Sequence, residues 1–250
     1  MRVLAVFSIK GGVGKTAAAV NLADAAARKG QRVLLWDLDP QGAASFYLRV
    51  KPRVKGGFGK LLRRRRGLLS AVRESDHERL DLMPADFSYR YMDLSLDAAG
   101  KPRRRLGALL ASVDEHYDLA LLDCPPGISL ASDSVFRAAE ILVCPVIPTP
   151  LSLRAHSQLE GYLAELGRKA PRLLPFLSMV DRRKSLHREL AESLPGQHPD
   201  FAKTWIPYST EVEQMGIRRA PLASFAPRSH PRLAFDFLWE EIESRLEQTR

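Results

Sequence analysis

Residues 9–16 read Ile-Lys-Gly-Gly-Val-Gly-Lys-Thr, directly after the apolar run at residues 2–7. A short β-branched run that breaks at glycines and opens into an alanine-rich stretch reads as strand, tight turn and helix. The glycines let the backbone turn sharply and aim N–H groups at an anion. A helix starting near Thr16 adds its positive end. In such a loop Lys15 reaches the β- and γ-phosphates of a nucleotide, and the Thr16 hydroxyl binds Mg²⁺. A plain glycine-rich turn accounts for the glycines but not for the Lys15-Thr16 pair.

Working outward, short apolar runs alternate with helical segments. Strands are expected at residues 33–36, 80–83, 119–122, 141–146 and 173–180, with a short seventh at 205–206 before Pro207. Helices are expected at residues 16–29, 107–115, 129–139, 155–167, 185–193 and 233–246. In the last of these Phe235, Leu238, Trp239, Ile242 and Leu246 form one apolar stripe. The alternation predicts an α/β fold, a mostly parallel sheet with helices on both faces, and the phosphate-loop pattern at residues 9–16 makes it the P-loop NTPase type. No stretch is rich enough in Gly, Ser or Pro to cut the chain, so residues 1–250 are expected to form one domain.

Two carboxylate motifs follow strands in this pattern. The first is Trp36-Asp37-Leu38-Asp39-Pro40-Gln41-Gly42. Alternation puts Asp37 and Asp39 on one side of an extended segment. Alone, the pair would read as a turn. The second is the apolar run 119–122 ended by Asp123-Cys124-Pro125-Pro126. An Asp at the tip of a buried strand is placed to hold Mg²⁺, directly or through water.

Together these residues resemble the ParA/MinD family, the deviant Walker A ATPases. Its loop reads Lys-Gly-Gly-x-Gly-Lys-Thr, filled here by Lys10, Gly11, Gly12, Gly14, Lys15 and Thr16. Its Asp-x-Asp-Pro-Gln-Gly and Asp-x-Pro-Pro motifs are also complete. The resemblance implies ATP and Mg²⁺ as cofactors and slow, partner-stimulated hydrolysis of ATP to ADP and phosphate. Gly11, Gly12, Val13, Gly14, Lys15, Thr16 and Ala17 would cradle the phosphates. Asp181 and Pro207 would border the adenine. Thr16, Asp37 and Asp123 would hold the ion, and Asp39 would orient the attacking water. Lys10 would reach the nucleotide of a partner subunit, making a homodimer when ATP is bound. The chain departs from many relatives at Gln214-Met215, Arg219 and Ala226, which bears on the adenine pocket and dimer rim rather than the phosphates.

Composition narrows the partners. The chain has 250 residues, 45% hydrophobic, and a formal net charge of +9. That excludes a disordered tail or a collagen-like chain. No run of eighteen apolar residues and no signal-peptide core is present, and the two cysteines, Cys124 and Cys144, are too few for a disulfide framework. A cytoplasmic setting is expected. Nine of the 38 basic residues fall in residues 49–66, and without them basic and acidic residues balance at 29 each. Such a block is either a solvated face or a polyanion site.

Within the family, the dimer binds DNA, membrane or other partners. The tail from residue 233 carries Asp236, Glu240, Glu241, Glu243 and Glu247 against Arg245 and Arg250. An acidic helix is repelled by anionic lipid, so a membrane role is not expected. Two cysteines could carry an iron–sulfur cluster only by pairing across a dimer. Nonspecific DNA remains, with Arg218, Arg219 and Arg228 as contacts by family position. Arg182, Arg183 and Lys184 are weaker ones, and residues 63–66 qualify by charge alone. The first strand starts at Arg2, which resembles the short ParA kind that distributes cargo over the nucleoid with a protein activator or adaptor. The other reading is a MinD-like regulatory or assembly ATPase acting through a membrane or protein partner.

Overall fold

The computed structural model describes residues 1–63 and 67–248. Arg64, Arg65, Arg66 and Arg250, counted in the charge argument, lie outside the described residues. The strands are β1 (Arg2–Val6), β2 (Val33–Asp37), β3 (Arg73–Glu74), β4 (Leu80–Met83), β5 (Leu119–Asp123), β6 (Ile141–Val146) and β7 (Arg172–Leu177). They form one sheet in the order β3-β4-β2-β5-β1-β6-β7. Every pairing is parallel except β3 on β4.

The helices are α1 (Lys15–Arg28), α2 (Ala43–Tyr47), α3 (Gly57–Arg63), α4 (Gly67–Ala71), α5 (Met92–Ala98) and α6 (Arg105–Ala111). After β5 come α7 (Leu130–Ala138), α8 (Pro150–Leu166), α9 (Ser185–Gln197), α10 (Thr210–Arg218), α11 (Leu222–Phe225) and α12 (His230–Glu247).

Both faces of the sheet are covered, which is why its strands are apolar throughout. Leu4, Val6, Val33, Leu35, Leu121 and Val143 point to the side of α1 and α12, where they meet Leu22 and Trp239. Ala5, Phe7, Leu34, Trp36, Leu122 and Leu142 point to the other side and meet Phe58, Leu96, Leu110, Phe136 and Leu159. Period-2 alternation in the strands thus feeds two separate cores. Each large apolar side chain buried in them contributes about 2–3 kcal/mol over its exposed state.

The stripe Phe235, Leu238, Trp239, Ile242 and Leu246 is buried against α1, as its spacing predicts. The acidic face of α12 is spent on the protein as well. Asp236 pairs with Arg28, Glu243 with Lys29, and Glu241 accepts the backbone N–H groups of Lys203 and Thr204. Among the described residues no helix is long and apolar enough to cross a membrane.

One expected strand does not form. Residues 205–206 make no ladder; Pro207 and Val180 share a single parallel bridge. Ile206 N–H donates to the Leu177 carbonyl at 2.8 Å, and Val180 N–H to the Ile206 carbonyl at 3.0 Å. Pro207 has no N–H to continue the pattern. The seventh strand is instead β3, whose two residues are both exposed and carry no apolar alternation. The sixth strand also stops at Leu177, earlier than its apolar run suggests.

The parallel strands end along one edge. There β1 lies between β5 and β6, while the chain leaving β1 crosses to β2 on the far side of β5. Such a reversal of strand order opens a crevice at the carboxyl ends, where α/β sheets bind ligands.

Candidate nucleotide site

The crevice is built by the loop between β1 and α1. Gly12 and Gly14 adopt positive φ, +72° and +89°, a backbone that L side chains rarely tolerate. At Gly14 a Cβ would also come within 3.1 Å of the Ser178 hydroxyl oxygen. Gly14 begins α1 with no side-chain cap and no acidic residue in the first turn. The first-turn N–H groups, those of Lys15, Thr16 and Ala17, therefore face the loop as an anion cradle.

Lys15 is 8% exposed, and its ammonium donates to the Lys10 carbonyl across the loop at 3.3 Å. Burial lowers its pKa, while Asp123 and Asp39 pull the other way. The Lys10 ammonium donates instead to the Ser152 hydroxyl of α8 at 3.2 Å. The rear wall of the loop is Ser178, whose hydroxyl donates to the Val13 carbonyl at 2.9 Å.

Asp37 and Asp123 end β2 and β5 in direct register, both at 0% exposure. Asp37 Oδ2 accepts from the Ser45 N–H and hydroxyl, each at 2.7 Å. Among the described residues, Asp37 Oδ1 and both oxygens of Asp123 have no hydrogen-bond partner. The Thr16 side chain lies beside Asp123 without closing a hydrogen bond. Burial raises Asp37 to about 6, with Asp39 adding to the shift. Burial, then Asp37, raises Asp123 well above the usual carboxylate range.

Buried carboxylate oxygens without partners are costly unless a cation takes them. Among the described residues no group of three His, Cys, Asp or Glu encloses an ion alone. An ion here would share hydroxyl, phosphate and water ligands with the two carboxylates, the habit of Mg²⁺. ATP with Mg²⁺ is the cofactor pair that this donor set fits.

Asp39 is half-buried beyond the end of β2, with Oδ1 accepting from the Gln41 N–H at 2.9 Å. Asp181 and Pro207 are brought together, since Tyr208 N–H donates to the Val180 carbonyl at 3.0 Å. Arg183 grips both oxygens of Asp181 and holds its pKa down at about 2.

The arginines separate into different places. Arg218 and Arg219 sit at the end of α10, where Arg49 donates to both their carbonyls at 3.0 and 3.2 Å. The Arg219 guanidinium donates to the Phe46 carbonyl at 3.0 Å and lies 4.6 Å over the Phe46 ring. Arg182 and Arg228 are exposed on other loops. Cys124 and Cys144 are buried, and burial raises both thiols, Cys144 to about 12. Neither reaches the surface to share a cluster with a second chain.

Sequence reasoning does not find Ser45, Ser152 and Ser178, which hold Asp37, Lys10 and the loop. Each lies far along the chain from the phosphate motif, or on a short helix with no pattern of its own.

Residues 1–174 match the model of a family described as an AAA domain. The chromosome-partitioning ATPase Soj of Thermus thermophilus is 34% identical over 99% of this chain and 98% of its own length. The chain belongs to the ParA/MinD family of P-loop ATPases. Another ParA/MinD relative, the chromosome partitioning protein ParA of Caulobacter vibrioides, is 31% identical over 80% of this chain and 78% of its own. The fold also matches cobyrinic acid a,c-diamide synthase from Mycobacterium smegmatis, solved with bound ADP and magnesium. That match has a TM-score of 0.82 at 22% identity, covering 100% of this chain and 97% of the other. For a ParA/MinD chain, the loop, Asp37, Asp39 and Asp123 stand where the sequence motifs place them, at the carboxyl edge of β1, β2 and β5.

Proposed function

We propose that this chain hydrolyses ATP to ADP and phosphate slowly, as a timer. In this reading it closes into an ATP-bound homodimer, holds nonspecific DNA and positions a cargo: a chromosome, a plasmid or a protein assembly. The observation that carries the chemistry is the set of partnerless buried oxygens on Asp37 and Asp123 beside Lys15.

Phosphoryl transfer asks for positioning and charge more than for covalent chemistry. Residues 11–17 hold the phosphates and Lys15 supplies a cation. Thr16, Asp37 and Asp123 would hold Mg²⁺, which would supply charge neutralisation to the phosphates. Asp39 orients the water that attacks the γ-phosphorus as the bond to the leaving ADP oxygen breaks. Lys10 gives up Ser152 and reaches the partner's nucleotide, so ATP favours the dimer that binds it better. Asp181 and Pro207 border the adenine.

Kinship with two proteins named for chromosome partitioning supports DNA as the polyanion. Arg182, Arg218, Arg219 and Arg228 are the proposed contacts, with Arg219 partly committed to Phe46. A nucleoid-associated, cytoplasmic place and a protein activator or cargo adaptor go with that role. The membrane reading loses ground because α12 buries its stripe and pairs its acids. A protein-directed regulatory role is the second reading. It is favoured by exposed Phe87, Tyr91 and Leu94, with the Arg90 guanidinium over both rings.

The test is retention on random-sequence duplex DNA. Retention that needs ATP and disappears with added salt supports the reading. A chain that stays monomeric with ATP and ignores DNA at low salt overturns it.

A further inference from the structure

Residues 101–105 read Lys-Pro-Arg-Arg-Arg, a basic run outside every motif used above. Its middle, Pro102–Arg104, forms a 3-10 turn that packs against α7. Between them lies an open cleft of about 640 Å³ lined by Lys101, Pro102, Arg103, Arg104, Leu130 and Arg137. No acidic side chain is among that lining.

Two of the arginines fix the wall. Arg103 Nε donates to the buried Asp133 carboxylate at 3.0 Å, and the Tyr162 hydroxyl donates to the same carboxylate. Arg105 donates to the carbonyls of Ala99 and Gly100. The turn is thus pinned at both ends. Lys101, Arg104 and Arg137 remain with no salt bridge among the described residues. Lys101 and Arg104 are exposed at the rim, and Arg137 is half-buried within.

Three cations held together without an acid repel one another, and an anion relieves that repulsion. Guanidinium forks match phosphate oxygens in a bidentate way. An open cleft with cations strung from rim to interior suits a chain of phosphates. Pro102 and Leu130 offer apolar surface to the sugars between them. We propose that this cleft holds the phosphate backbone of duplex DNA, as a contact separate from Arg182, Arg218, Arg219 and Arg228. It rests on the DNA reading given above.

The test measures binding of a random-sequence duplex with ATP present, across a salt series. Arg104→Ala/Arg137→Ala should lessen the slope of log K against log salt by about 1.8 per engaged protomer. ATP binding and ATP-dependent dimerisation should stay as in the parent. Arg104→Lys/Arg137→Lys should keep the slope. If the half-buried Arg137 proves needed for folding, the exposed pair Lys101→Ala/Arg104→Ala gives the same readout. A parent that binds DNA beside variants with an unchanged slope overturns the cleft and leaves the DNA reading standing. A parent that binds no duplex with ATP overturns both.

Discussion

Asp37 and Asp123 end neighbouring parallel strands side by side, fully buried, and three of their four carboxylate oxygens have no hydrogen-bond partner among the described residues. Two like charges at that spacing in a dry site cannot both ionise freely. The fold holds them there by the register of β2 on β5, and Ser45 takes the one satisfied oxygen. The arrangement stores strain that a divalent cation relieves.

Stability should record that strain through pH. Burial raises Asp37 from its ordinary 3.8 to about 6 in the folded chain. Between those values the folded state holds the extra proton, so stability falls as pH rises through the window. Relative to Asp37→Asn, the nucleotide-free parent should lose about 2 kcal/mol between pH 4 and pH 7. Urea melts of both proteins over that range check it. A constant difference between them would contradict it.

Gly14→Ala should fold poorly and bind no nucleotide. The new Cβ meets φ +89° and the Ser178 hydroxyl oxygen at 3.1 Å. The left-handed backbone alone costs about 1–2 kcal/mol. Urea denaturation and titration with a fluorescent ATP analogue report the two effects.

Ser45→Ala removes the hydroxyl donor to Asp37 and the acceptor of the Ala85 N–H, bonded at 2.9 Å. An orphaned buried donor costs about 1–3 kcal/mol. The substitution should lower stability by that amount and weaken Mg²⁺-dependent ATP binding, while ATP binding without Mg²⁺ changes little. Isothermal titration with and without Mg²⁺ separates these.

Lys10→Ala should leave nucleotide binding near the parental level and abolish the ATP-dependent dimer. Lys10 lies on Ser152, away from the Lys15 ammonium, which uses only the Lys10 backbone carbonyl. Light scattering with ATP checks the dimer, and Lys15→Ala, which should lose nucleotide binding outright, is the contrast.

The phosphate loop, Asp37, Asp39 and Asp123 are legible in sequence because each is contiguous with its strand. The glycines, the Lys15-Thr16 pair and the strand-end carboxylates announce themselves within a few residues. Ser45, Ser152 and Ser178 are not legible, because what they hold is defined only once α2, α8 and the end of β7 are packed against the loop. The short helices α3 and α5 span seven residues each, too few turns for a period to show. Strand β3 is two exposed residues. Residues 205–206 look like a strand by apolar content, yet Pro207 leaves them as a cover strip on β7. The basic block resolves only in part: Arg49 ties it to the end of α10, while Arg64, Arg65 and Arg66 fall outside the described residues.

Asp39 is proposed to orient the attacking water in a site completed by a second copy. Asp39→Ala with ATP and Mg²⁺, followed by light scattering and phosphate release together, tests it most directly. A stable ATP-bound dimer that releases no phosphate above background is expected. A monomer that hydrolyses ATP at the parental rate would contradict it.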